Sequence, residues 1–170
     1  MYDVVRILLI WFLCFVSVLF HELGHAQGYR IAGGKAEWKI RAGSGPEILS
    51  TPKFSFCLFP VGGYFNPREE LRTRKAKLLT LAGGPIVSLL LTALFCACHF
   101  CFTSFMNPQG TLYVVLVPAF RFLVFFNFFQ FLFTIVPMRY RVVCQGYESD
   151  GLQIVRALKH EKAKQETQKI

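Results

Sequence analysis

Residues 21–25 read His-Glu-Leu-Gly-His, and their types and spacing suit hydrolytic metal chemistry. On an α-helix, residues i and i+4 share a face, so His21 and His25 can turn ring nitrogens toward one ion. Neutral imidazole suits Zn2+ at roughly 2.0–2.1 Å. Glu22, beside the first histidine, is placed to take a proton from water that the ion activates. The expectation is one Zn2+ per chain, with His21 and His25 as metal ligands and Glu22 as the catalytic base. The plainer alternative is that these residues merely cap an apolar helix. It is the weaker one, because ionisable groups at the end of an apolar run are costly and mark function.

A catalytic zinc takes three protein ligands and keeps one position open, so a third ligand must come from elsewhere. Asp3 lies at the other end of the apolar run from the two histidines. Glu69 and Glu70 stand among Arg68, Arg72, Arg74 and Lys75 as a solvated charge run, and Glu161 and Glu166 lie in a polar tail. Glu37, Glu47, Glu148 and Asp150 remain. Asp150 stands where a polar stretch gives way to Leu152, Ile154, Val155 and Leu158, the pattern of a helix start. A helix-capping role accounts for that aspartate equally simply. Cys98, His99 and Cys101 also resemble ligands on paper, but neighbours on a helix diverge by roughly 100° and the run around them is apolar.

The elements that must position these groups are apolar. Of 170 residues 54% are hydrophobic and 17% charged, 19 are Phe, the mean hydropathy is +0.42 and the formal net charge is +9. This composition excludes a disordered chain, a collagen and a disulfide scaffold, and it argues against a soluble nucleic-acid binder. Three segments suffice to cross a bilayer of about 30 Å, which takes roughly 20 helical residues. They run from Val4 to about His25, from about Leu78 to Phe105, and from about Leu112 to Val136. The first lacks a small-residue cleavage site and is kept as a span.

Orientation follows from the basic residues. Ala26–Lys77 carries 10 Lys and Arg, the stretch after Val136 carries 7, and the connector Met106–Thr111 carries none. The positive-inside rule then places the long loop and the C-terminus in the cytoplasm and the N-terminus outside. Within the loop, Phe54, Phe56 and Leu58 alternate with Ser55 and Cys57 until Pro60-Val61-Gly62-Gly63 interrupts them. That pattern suggests a short β-hairpin at the membrane edge, over about Phe54–Tyr64. The expected fold is an all-α polytopic membrane protein with three transmembrane helices and this hairpin in its cytoplasmic loop. It forms a single domain over 1–158, with a polar tail at 159–170.

With these features together, the chain resembles the site-2 protease family of intramembrane zinc metalloproteases. His21, Glu22 and His25 match that family's H-E-x-x-H, and Asp150-Gly151 matches its Asp-Gly motif. Phe59-Pro60-Val61-Gly62-Gly63-Tyr64 is similar to its membrane-associated hairpin, and Ala82-Gly83-Gly84-Pro85 to the Ala-Gly-Pro opening its middle core helix. Two positions depart: Thr134 and Ser88 stand where members often have Asn, and the basic segment Met138–Ser149 lengthens the approach to Asp150. Both hydroxyls retain hydrogen-bonding capacity.

The resemblance implies that Asp150 is the third zinc ligand and Glu22 the general base. It also implies a minimal three-helix catalytic core, located as a multi-pass protein of the cell membrane. The implied partners are a membrane-protein substrate with a transmembrane helix, the lipid bilayer and a regulatory membrane protein that the sequence does not identify; nucleic acid is not expected. The rivals are a membrane zinc peptidase of another family using Glu47 as third ligand, and a non-proteolytic scaffold that keeps the metal as structure.

Overall fold

A long apolar stretch must satisfy its own backbone when water is absent, and the helix does so within one segment. The computed structural model describes residues 2–69, 71, 73–140 and 148–167. Helix α1 spans Tyr2–Ile31, α2 spans Arg74–Phe105 and α3 spans Thr111–Ile135. Each is long and apolar enough to cross a membrane. Ile86, Leu90 and Leu94 of α2 face outward, as do Ile7 and Leu8 of α1. An apolar exterior of that extent belongs against a nonaqueous surrounding. Helix α4, Asp150–Thr167, continues into the segment expected as a polar tail. Residues 168–170 of that tail lie outside the described residues, as do 141–147 of the basic connecting segment and Glu70 and Arg72 of the charge run.

Two contacts set how the long helices cross. Gly24 of α1 meets Gly83 of α2 so closely that a β-carbon on either would overlap the other's carbonyl oxygen. Small residues at a crossing permit this approach of backbones. Asn127 of α3 donates through Nδ2 to Ser17 Oγ of α1 at 3.1 Å, and both residues are buried. The backbone of α4 packs on α2 and α3 and, among the described residues, does not approach that of α1.

Between α1 and α2 lies an antiparallel two-stranded sheet, β1 Trp38–Ser50 and β2 Phe54–Pro67. The sequence suggests a hairpin over about Phe54–Tyr64 interrupted at Pro60–Gly63; instead that whole segment is one strand, and the turn falls at Thr51–Lys53. Thr51 makes the turn, its Oγ1 accepting from Phe54 N at 2.9 Å and its own N–H donating to Phe54 O at 2.7 Å. Residues 60–62 stay in the strand because they lie opposite an irregularity: Phe59 pairs with Ser44 and Gly63 with Ala42. Gly43 and Gly62, at φ 89° and 70°, absorb the bend on the two sides. The sheet rests on α1, with Tyr29 and Phe65 in ring contact at 5.6 Å.

Candidate metal centre

The C-terminal half of α1 is where this helix turns from exposed to buried. His21, Glu22 and His25 are 3%, 4% and 5% exposed. Because α1 runs on to Ile31, these residues occupy unfrayed helix, not its terminus. One turn apart, the two imidazoles bring their Nε2 atoms to 3.3 Å. Their other nitrogens are tied to α2: His25 Nδ1–H donates to the Thr80 carbonyl at 2.8 Å, and His21 Nδ1 pairs with Ser88 Oγ at 2.8 Å. A partner on Nδ1 fixes ring orientation and leaves Nε2 for an ion.

Asp150, in the first turn of α4, completes the group. Its Oδ2 lies 3.6 Å from His21 Nε2 and 3.4 Å from His25 Nε2. Among the described residues, His21, His25 and Asp150 are the one set of His, Cys and carboxylate side chains gathered closely enough to hold a metal, with ligand atoms within 4.8 Å of one another. Burial acts to raise the Asp150 pKa, but the adjoining His25 ring, together with that of His21, outweighs it and holds the carboxyl below its usual range. An ionised carboxylate beside two imidazole nitrogens is the donor set a catalytic zinc uses. Gly84 keeps the space clear, since a β-carbon there would overlap His25 Nε2 and stand 2.6 Å from His21 Nε2. These observations fit a zinc ion on chemistry and on space.

Glu22 points elsewhere. Its Oε2 is buried and, among the described residues, has no hydrogen-bond partner. On its other side β2 closes in: a β-carbon on Gly63 would stand 2.7 Å from Glu22 Oε1. Glu22, the two histidines and Asp150 line one cavity of about 1060 Å3, walled by β2 residues Val61–Pro67 and by Phe126, Phe129 and Phe133 of α3.

The other carboxylates raised by the sequence are engaged with other partners and do not join this set. Glu47 lies in β1, hydrogen-bonded by Ser55, which holds its pKa down. Glu37 pairs with Arg68 at 2.8 Å in an exposed bridge, and Glu148 binds Arg139 and Arg156. His99 Nδ1 approaches the Val117 carbonyl at 3.3 Å. Thr134 lines the cavity, and its hydroxyl donates to the carbonyls of Gln130 and Phe131 in its own helix.

Compared with known families, residues 9–169 match the sequence model of peptidase family M50. The chain belongs to peptidase family M50. No curated protein and no solved structure matches it. M50 is the site-2 protease family of membrane zinc metalloproteases, so the resemblance drawn from the H-E-x-x-H and Asp-Gly motifs holds at the level of the family. Within this M50 chain, sequence reasoning did not find the supporting roles of the Thr80 carbonyl, Gly84 and Gly63. A pairing between distant elements has no local signal, although Gly84, inside the Ala-Gly-Gly-Pro run, and Gly63, inside the Phe59–Tyr64 run, were in noted motifs. Ser88 was noted only as standing where members often have Asn.

The tie between Ser88 and His21 carries a prediction. Ser88 is fully buried, so Ser88→Ala leaves the Nδ1 of His21 with no partner there. Loss of such an outer partner typically costs about 10–100-fold in metal affinity. A zinc competition titration of the purified variant should show that weakening.

Proposed function

We propose that this M50 chain is a zinc-dependent endopeptidase that cuts the transmembrane segment of another membrane protein. The observation that carries the reading is the convergence of His21, His25 and Asp150 within 4.8 Å, beside a buried Glu22 on one apolar cavity. In this reading His21, His25 and Asp150 hold one zinc ion and Glu22 is the general base.

When bound, zinc supplies Lewis acidity, polarising a peptide carbonyl and making nearby water easier to deprotonate. Glu22 takes the proton from the attacking water and passes it to the leaving amine. Its burial between α1 and Gly63 of β2 keeps bulk water from competing for that proton. A helical substrate must unwind locally, because its carbonyls are otherwise engaged in its own i→i−4 ladder. The β2 segment along the cavity offers a strand edge to the unwound stretch, and the Phe wall of α3 takes apolar side chains.

The purified protein is expected to release a cleavage product from a co-reconstituted single-span membrane protein. 1,10-Phenanthroline should abolish the product and added Zn2+ restore it. Persistence of full cleavage after the metal is removed would replace this reading with a non-zinc mechanism. The basic bias of loop and tail supports a topology with the N-terminus outside and the Ala26–Lys77 loop in the cytoplasm. A cysteine introduced at Lys53 should therefore resist impermeant thiol reagents on intact cells and react once the membrane is opened.

A further inference from the structure

Asp150 reaches the histidines of α1 from a helix whose backbone does not approach α1, so its placement must be set by what α4 grips elsewhere. Ser149, the residue before it, is 1% exposed, and its hydroxyl is fully engaged in hydrogen bonds, two of them making that grip. Its Oγ–H donates to the Val136 carbonyl at 2.7 Å, and Oγ accepts from Met138 N at 3.0 Å and Leu152 N at 3.2 Å. Its backbone N–H donates to the Met138 carbonyl at 2.9 Å, and its carbonyl accepts from Gln153 N at 3.1 Å. One donor and two acceptor sites are thus all used. The bond to Leu152 is an ordinary helix N-cap. The bonds to Val136 and Met138 are not part of capping, since they tie the first turn of α4 to the end of α3.

The residue after Asp150 makes the same attachment. Gly151 lies so close to α3 that a β-carbon on it would overlap the Ile135 carbonyl oxygen. Asp150 is therefore flanked on both sides by residues fixed against the end of α3 and the residues just after it, Ile135 to Met138, while its own carboxylate is left for the histidines.

We propose that Ser149 is a positioning residue for the metal centre: by clamping α4 to Val136 and Met138 it fixes where the Asp150 carboxylate meets His21 and His25. The inference rests on the reading of Asp150 as a metal ligand. It makes the metal site depend on the end of α3, a helix that also walls the substrate cavity at Phe129 and Phe133.

Co2+ substituted into the full-length protein in detergent reports on this directly, through its visible ligand-field bands and its affinity. Ser149→Ala should weaken Co2+ binding by about 10–100-fold, the usual effect of losing an outer partner, and alter the bands. Ser149→Asn retains a side chain able to cap α4 but removes the hydroxyl between Val136 and Met138, so it should give the same change with helix content preserved. Either variant binding Co2+ with wild-type affinity and bands overturns the proposal, whatever happens to its melting temperature. Asp150→Ala distinguishes the two readings. If its bands match wild type, Asp150 is not a ligand. If Asp150→Ala changes them and the Ser149 variants do not, only the positioning role fails.

Discussion

Glu22→Gln is expected to lower turnover by about 10²–10⁴-fold or more, the usual range for loss of a general base, while zinc content stays near one per chain. The substitution keeps the size and hydrogen-bonding shape of the side chain, so the tight fit against Gly63 survives. What it removes is the basic oxygen, and the Glu22 carboxylate is the one member of the buried group that does not join His21, His25 and Asp150 in ligand geometry. Asp150→Asn should behave in the opposite way, since a neutral amide is a poorer zinc ligand: metal retention falls together with activity. Zinc analysis of both purified variants, alongside single-turnover cleavage of the same reconstituted substrate, separates the two roles. Wild-type cleavage by Glu22→Gln would remove the protease mechanism and favour a metal-binding scaffold.

The groups most legible in the sequence are those whose relation is local. His21 and His25 sit one helical turn apart, and the apolar length before them requires helix, so their shared face follows from periodicity alone. The apolar runs also locate the three long helices, though α1 and α2 extend beyond them into polar sequence, to Ile31 and from Arg74. There helix is stabilised by packing and capping instead of hydrophobicity, as at Thr73, whose Oγ1 accepts from Ala76 N. The hairpin shows the limit. Pro60 and Gly62 carry turn signals, yet the strand passes through them because the partner strand is irregular at Gly43, a fact belonging to the pairing and not to either segment. The third carboxylate is a similar case. Glu37, Glu47, Glu148 and Asp150 were left open by local pattern and only the family resemblance chose among them. In space, the hydrogen bonds of Ser149 and the closeness of Gly151 to Ile135 bring Asp150 toward the histidines.

The crossing of α1 and α2 should be as sensitive as the ligands themselves. Gly83→Ala adds a single methyl, but it falls on the Gly24 carbonyl oxygen, a backbone atom that no side-chain rotation can move away. The helices must separate, and overpacking of this kind typically costs about 1–3 kcal/mol. The displacement also reaches the metal centre, because α2 supplies both outer partners, the Thr80 carbonyl to His25 and the Ser88 hydroxyl to His21. These lie on either side of Gly83 along the helix, so moving α2 disturbs both ties at once. Zinc affinity should fall by at least the roughly 10–100-fold expected for losing one of them, with a lower melting temperature in detergent. Leu90→Phe, on the outward face of the same helix at 63% exposure, adds more volume and should alter neither quantity. Unchanged zinc affinity in Gly83→Ala would mean that α2 does not hold the histidines in place, and their orientation would then have to come from α1 alone.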